Sequence, residues 1–112
     1  MNKQRDFDNV DAVIAGMRDR FLPDRCRDLQ ASVHWRLTGE EPREFTVAID
    51  KGTFDVKPGP VDHADLTMET SSETYLRLAN GELSGTVAIM TRKLRVRGRL
   101  QLAARWDRLF SA

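Results

Sequence analysis

The sequence has little that would support a disulfide, a membrane span or a catalytic centre. Cys26 is the one cysteine among 112 residues, which rules out an internal disulfide and favours a reducing compartment, so we expect a cytoplasmic protein. No apolar run approaches the roughly 18 residues of a membrane span, and the opening segment MNKQRDFDN lacks the apolar core of a secretory signal. Glycine-rich phosphate loops, nucleophile elbows and zinc-ligand spacings are absent as well. The sequence therefore predicts no enzyme, no catalytic residue, no metal and no cofactor.

Neither sign of charge dominates the chain. Its 18 Lys and Arg residues nearly balance 17 Asp and Glu residues, so no overall field would attract a polyanion. The length suits one domain, which we expect to span residues 1–112. Basic residues are nevertheless concentrated near the end of the chain, where Asp107 alone offsets a basic cluster of Arg92, Lys93, Arg95, Arg97, Arg99, Arg105 and Arg108.

Hydrophobic spacing in the first half predicts one helix followed by a three-stranded meander. Apolar residues recur at helical spacing from Asp8 to Phe21, with Asp8 as a cap. From residue 31 the spacing changes to two, and apolar residues alternate with polar ones in segments 31–38, 44–50 and 53–57. Lys51-Gly52 predicts a tight hairpin turn between the second and third strands.

The second half predicts a fourth strand, two short helices, a fifth strand and a last helix. Two prolines after residue 57 force the chain out of the sheet before the fourth strand, at 64–69. Capping-box spacing at 70–73 and helical spacing at 84–90 predict the short helices. After Lys93 to Arg97, the pattern allows either a longer strand or an amphipathic helix; we prefer a break at Gly98 and helix beyond it.

Three segments of this half resemble the sterol carrier protein 2 (SCP-2) lipid-binding domain family. They are Ala64 to Met68, Glu73 to Gly81 and Ala88 to Gly98, and the similarity extends over nearly the whole chain. The resemblance implies an α+β fold: a five-stranded, largely antiparallel sheet with helices packed on one face, enclosing an apolar tunnel. It also implies non-enzymatic binding and intracellular transfer or presentation of a fatty acid, fatty acyl-CoA, sterol-like or isoprenoid lipid.

Two basic residues depart from the family pattern. Arg92 stands where the family commonly has glycine, and Arg99 where it has aspartate. Arginine can neither cap a helix N-terminus nor complement its dipole, so the last helix is predicted to be looser, or to begin later, than is usual.

The apolar residues of the sheet and helices could either fill a solid core or line a cavity, and the resemblance favours the cavity. Flexible methionine side chains would suit a site that adapts to its ligand. The predicted lining residues are Phe45, Val47, Phe54, Leu66, Met68, Tyr75, Leu76, Leu83, Ile89, Met90, Leu94, Val96, Leu102 and Trp106. Contacts to head groups or membrane are predicted for Arg92, Lys93 and Arg99.

The partners we expect are a lipid or fatty acyl ligand and, transiently, an anionic membrane surface or a partner enzyme. The basic cluster could instead be a solvated outer face. Nucleic acid is not expected, because Trp35, Phe45 and Trp106 fall on predicted core faces rather than among the basic residues. We expect a monomer or weak homodimer.

Two alternative functions stay open. The same fold with a collapsed cavity could serve as an accessory or structural docking subunit. A pocket could also present a quinone-like or polyketide intermediate to an enzyme. His34 and His63 are interpreted as surface histidines, and Cys26 as a loop thiol whose basic neighbours Arg25 and Arg27 would lower its pKa without making it catalytic.

Overall fold

A computed structural model describes residues 7–110 of the protein, without the side chain of Asp107. The ends of the single domain expected over 1–112 therefore lie outside the described residues. The helices are α1 (Val10–Arg20), α2 (Ser72–Ala79), α3 (Gly85–Met90) and α4 (Leu100–Arg105). The strands are β1 (Gln30–Thr38), β2 (Arg43–Asp50), β3 (Thr53–Pro58), β4 (Leu66–Ser71) and β5 (Leu94–Gly98). Short 3-10 turns lie at Pro23–Arg25 and Trp106–Leu109.

The five strands form one sheet in the order β3-β2-β1-β4-β5. Strand β1 pairs in parallel with β4, and the other three neighbouring pairs are antiparallel, which confirms the α+β class and the largely antiparallel sheet. The register places Val33 beside Val47 on one side and beside Leu66 on the other. Apolar side chains of all five strands consequently share one face, called here the inner face, and the other, outer face carries the polar residues.

Helix α1 forms where the apolar spacing predicts it, but its cap lies one residue later than expected. Asn9, not Asp8, caps the helix, because its side-chain oxygen accepts a hydrogen bond from the Ala12 amide at 2.8 Å. Gly16 lies under the ring of Phe7, whose atoms would be 3.0 Å from an added Cβ. The small residue therefore lets the start of the described chain pack on α1.

The turns and caps around the sheet follow local chemistry. Lys51 and Gly52 both have positive φ, as the tight β2–β3 hairpin requires. Strand β4 begins two residues later than predicted, and Ser71 rather than Thr70 caps α2, accepting from the Thr74 amide at 3.0 Å. Thr70 instead belongs to the sheet, and its hydroxyl donates to the Lys93 carbonyl at 2.6 Å.

Gly98 ends β5 and turns the chain into α4. Its φ is +111°, and an added Cβ would lie 2.4 Å from the carbonyl oxygen of Asp65. The break predicted at this glycine is therefore confirmed, and the alternative of a longer strand is wrong. The predicted last helix is divided: α4 ends at Arg105, and a 3-10 turn continues to Leu109.

The helices lie against the inner face and bury its apolar residues. Val33, Val47 and Leu66 are fully buried in the centre of the sheet. Val10 and Val13 of α1, Tyr75 of α2, Ala88 of α3 and Leu102 of α4 join them in one apolar core. The layer between sheet and helices is therefore the most apolar part of the domain.

Candidate functional site

Aromatic side chains lie together in the layer between the inner face and the helices. The rings of Trp35 in β1 and Tyr75 in α2 meet edge to face with centroids 4.9 Å apart. Phe45 approaches Tyr75 at 6.2 Å, and Trp106 approaches Trp35 at 5.9 Å. Trp35, Phe45 and Tyr75 are buried, whereas Trp106 is half-buried, so this group of four rings reaches the protein surface at Trp106.

Two polar atoms in this aromatic group have no hydrogen-bond partner among the described residues. They are Nε1 of Trp35 and the hydroxyl of Tyr75. The two residues are 3% and 4% exposed. Burial raises the pKa of Tyr75 far above the usual range, although the positive charge of Arg20 opposes the shift. The phenol is therefore protonated at neutral pH, and both atoms are hydrogen-bond donors.

Other buried polar side chains in the described part of the chain are paired. Thr46, on the outer face, donates to the Gly59 carbonyl at 2.9 Å. The Ser72 hydroxyl accepts from the Glu41 amide at 3.2 Å, and Asn80 exchanges two hydrogen bonds with the backbone of Phe7. An unpaired buried donor is costly, so the aromatic pair stands out against an otherwise satisfied interior.

Most of the predicted lining residues lie in the apolar layer, and two do not. Buried members are Phe45, Val47, Leu66, Met68, Tyr75, Leu94 and Leu102. Half-buried members packed against the core are Phe54, Leu76, Leu83, Val96 and Trp106. Ile89 and Met90 are instead exposed on α3, so they lie on the protein surface and not in the apolar layer. The cavity itself stays a prediction.

Helix α3 presents an exposed apolar surface beside basic residues. Val87, Ile89 and Met90 are 47%, 44% and 77% exposed. Arg92 and Lys93 come after the capping residue Thr91 and are exposed. Within residues 7–110, neither side chain makes an ion pair or a hydrogen bond. We call these five residues the α3 patch.

The start of α4 resembles that patch in composition. Leu100 is 63% exposed, and Arg99 before it faces Asp65 with Nη1 4.0 Å from a carboxylate oxygen. Arg99 makes no side-chain capping bond, as its chemistry predicts, whereas α1, α2 and α3 each have a polar cap. The first turn of α4 is therefore held less firmly than the starts of the other helices.

The outer face of the sheet carries a row of alternating charges. Glu44, Arg36, Glu69 and Arg95 are neighbours across four strands, with Glu69 oxygens 3.6 Å from Arg36 and 3.8 Å from Arg95. A concavity of about 430 Å³ lies over part of this row and is also lined by His34, Thr67 and Arg97. This face is polar and unsuited to a hydrocarbon chain.

The structure corrects two interpretations of single residues. Cys26 is fully buried, and burial raises the pKa of its thiol, with Arg105 opposing the shift, so the predicted lowering of the pKa is wrong. His34 lies on the polar face but is not a simple surface histidine, because its side chain is 12% exposed and Nε2 lies 2.7 Å from a Glu44 oxygen. His63 is exposed. Among the described residues, no group of His, Cys, Asp and Glu could hold a metal ion.

Helices of the described range 7–110 are all too short or too polar to cross a bilayer.

Comparison with known proteins identifies the family to which this sequence is similar. Residues 10–111 match the SCP-2 sterol transfer family. The rat protein named hydroxysteroid dehydrogenase-like protein 2 is 26% identical over 106 residues, which are 94% of this chain and 20% of that protein. The chain thus spans about a fifth of the length of that curated relative.

Two solved structures share the fold at low identity. Palmitated SCP2L2 from Aedes aegypti has a TM-score of 0.71 and 20% identity, covering 88% of this chain and 90% of that chain. The inverting sec-alkylsulfatase Pisa1 from Pseudomonas sp. has a TM-score of 0.80 and 16% identity, covering 91% of this chain but 16% of that chain.

The one-sided apolar sheet covered by helices is thus the fold of SCP-2 proteins. The chain belongs to the SCP-2 sterol transfer family.

Proposed function

We propose that this domain binds a lipid between the inner face of the sheet and the helices, and transfers or presents it without catalysing a reaction. The observation that carries the proposal is the continuous apolar layer that runs from β3 to β5 and includes buried Phe45, Met68 and Leu94. A hydrocarbon chain could pack against this apolar layer, whereas the charged outer face of the sheet is unsuited to it. Family membership and the palmitated state of the Aedes aegypti structure support the same class of ligand.

The energetics of such a site favour binding without polar contacts along the chain. Burying a dozen methylenes at about 0.8 kcal/mol each contributes on the order of 10 kcal/mol before the costs of ordering. Micromolar affinity corresponds to about −8 kcal/mol and is within reach. An apolar layer alone would distinguish poorly between lipids of similar size.

A lipid can enter this layer only if a covering helix moves, and the start of α4 is suited to that movement. Its first turn lacks a side-chain cap, while Arg105 at its other end donates to the Arg25 carbonyl at 2.7 Å and to Asp28 at 2.9 Å. We therefore expect α4 to open at Gly98 and Arg99 and to stay anchored near Arg105.

Docking on an anionic membrane is the second part of the proposal. The α3 patch combines three exposed apolar side chains with Arg92 and Lys93, and Arg99 lies beside exposed Leu100. A surface of this composition gains both from apolar insertion and from attraction to anionic head groups, about 1 kcal/mol for each basic residue near the surface. The protein acts here as a cytoplasmic monomer or weak homodimer, and the unpaired Cys26 is consistent with that compartment.

Native mass spectrometry tests the lipid-binding proposal. The purified protein should retain or take up one acyl or sterol ligand per chain. A protein that takes up none, under conditions in which circular dichroism shows it folded, would exclude this function.

Vesicle sedimentation tests the docking proposal separately. Met90→Glu and Lys93→Glu should each weaken binding to phosphatidylserine vesicles several-fold and leave the uptake of monomeric lipid unchanged. Lys57→Glu, an exposed charge reversal on β3 at the far edge of the sheet, is the control. Equal binding of Met90→Glu and the unaltered protein would show that α3 is not the docking element.

The docking-subunit function remains an alternative because the outer face offers a charged concavity with Arg95 and Arg97 at its edge. A stable protein partner that is lost on Arg95→Glu, together with no lipid uptake, would favour it over the lipid carrier.

A further inference from the structure

The two unpaired donors lie where a ligand in the proposed site would be. Trp35 belongs to the central strand of the sheet and Tyr75 to the helix that covers it, and their rings are in contact. In the unfolded chain such a donor makes a hydrogen bond to water, and it loses that bond when it is buried without a partner. Buried donors in folded proteins are therefore usually paired with a protein group, a water molecule or a ligand. Residues within 7–110 supply partners for Thr46, Thr70, Ser72 and Asn80, but none of the described groups pairs with these two donors.

The surroundings of Tyr75 disfavour negative charge and suit a neutral acceptor. Burial raises the pKa of the Tyr75 hydroxyl, and the positive charge of Arg20 opposes that shift only in part, so an ionised carboxyl group beside the hydroxyl would meet the same penalty. A carbonyl oxygen, or a carboxyl group that is protonated when bound, avoids the penalty and can still accept from both donors.

The position of Trp106 gives the direction of the rest of the ligand. Its half-buried ring contacts Trp35, so the aromatic group extends from buried Tyr75 through Trp35 to the surface. Trp106 follows Arg105 at the anchored end of α4, so this part of the site stays in place when the start of the helix opens.

We propose that Trp35 and Tyr75 bind the oxygen-bearing end of the lipid inside the domain, each donating a hydrogen bond to a carboxyl or carbonyl oxygen, with the hydrocarbon chain directed towards Trp106. This inference rests on the proposed lipid-binding function and adds to it an inward polar end and two specificity-determining residues. The site then prefers an oxygenated lipid to a hydrocarbon of equal length, a discrimination that the apolar layer alone would not provide.

Affinity for matched ligands tests the inference. The unaltered protein should bind palmitic acid and its methyl ester, which both carry a carbonyl acceptor, about tenfold or more tightly than hexadecane. Tyr75→Phe should weaken palmitic acid about tenfold and leave hexadecane unchanged. Phe45→Leu, a packing change beside Tyr75 that removes no donor, should weaken both ligands alike.

A spectroscopic measurement on the unaltered protein keeps the test independent of how the variants fold. The chain has two tryptophans, so two indole N–H signals are expected in a nitrogen–proton correlation spectrum, and Trp106→Phe identifies that of Trp35. Palmitic acid should shift the Trp35 signal downfield and hexadecane should not.

The outcomes separate the two proposals. Uptake of neither ligand by the unaltered protein would overturn lipid binding itself. Uptake of both with equal affinity, or an indole signal that palmitic acid leaves in place, would overturn the inward polar end and leave lipid binding standing. Buried waters on both donors in a lipid-bound crystal structure would overturn it as well.

Discussion

Removing the hydroxyl of Tyr75 should stabilise the ligand-free protein, contrary to the usual effect of deleting a buried polar group. The hydroxyl is buried, and no described residue accepts its proton. It therefore loses its hydrogen bond to water on folding and gains none in return. Tyr75→Phe keeps the ring contacts with Trp35 and Phe45 and removes only this loss.

The magnitude follows from the cost of an unpaired buried donor, about 1–3 kcal/mol. Allowing for the small cavity left by the oxygen, we expect the free energy of unfolding to rise by about 1 kcal/mol, or about 4 °C in Tm for a domain of this size. Thr46→Val is the matched control, since Thr46 is equally buried but paired with the Gly59 carbonyl. It should lower the free energy of unfolding by about 1 kcal/mol.

Urea unfolding followed by circular dichroism measures both variants on lipid-free protein. We expect changes of opposite sign in the free energy of unfolding for Tyr75→Phe and Thr46→Val, so the comparison does not depend on the absolute scale. If Tyr75→Phe destabilised the lipid-free protein as much as Thr46→Val does, the hydroxyl would have a partner in the folded state and the expectation would be wrong.

Three further predictions concern Gly98, the start of α4 and one surface ion pair. Gly98→Ala should cost more than about 3 kcal/mol in thermal or urea unfolding, because its Cβ would meet a backbone carbonyl at 2.4 Å; Gly59→Ala, also at positive φ but in open space, should cost about 1–2 kcal/mol. Arg99→Asn should supply the missing cap of α4, raise the free energy of unfolding by about 0.5–1 kcal/mol and slow lipid uptake in stopped-flow fluorescence. The hydrogen bond from Arg105 lowers the pKa of Asp28. The pair therefore stabilises the fold at pH values above the usual aspartate pKa, and this contribution is lost as the pH falls through the lowered pKa. In a curve of unfolding free energy against pH, Asp28→Asn should reduce the slope on the acid side, and only slightly because the carboxylate is exposed.

Alternation was enough to predict the strands and which of their side chains share a face, whereas the single five-stranded sheet was expected from the resemblance to SCP-2. Val33, Val47 and Leu66 lie side by side in the sheet centre because each belongs to the apolar half of a period-two pattern. The break at Gly98 could be predicted from residue type, and its necessity comes from a close approach to Asp65 that only the paired strands create. Cap positions moved by one residue, as between Thr70 and Ser71, because several neighbouring hydroxyls could serve.

The candidate site was less accessible to sequence reasoning. Periodicity marks Trp35 and Tyr75 as buried, but whether a buried donor is paired depends on side chains from distant parts of the chain. Ile89 and Met90 were assigned to the cavity, and the structure leaves them exposed. Six residues of α3 are too few for hydrophobic spacing to say which face meets the core.

A crystal structure of the protein grown with palmitic acid would show whether a lipid lies between the sheet and the helices with its polar end inward. We expect elongated density between the inner face of the sheet and the helices, with the carboxyl group within hydrogen-bond distance of Trp35 Nε1 and the Tyr75 hydroxyl and with the chain running towards Trp106. Density for the acid on the outer face, or an apolar layer that stays closed with the acid absent at saturating concentration, would contradict this expectation.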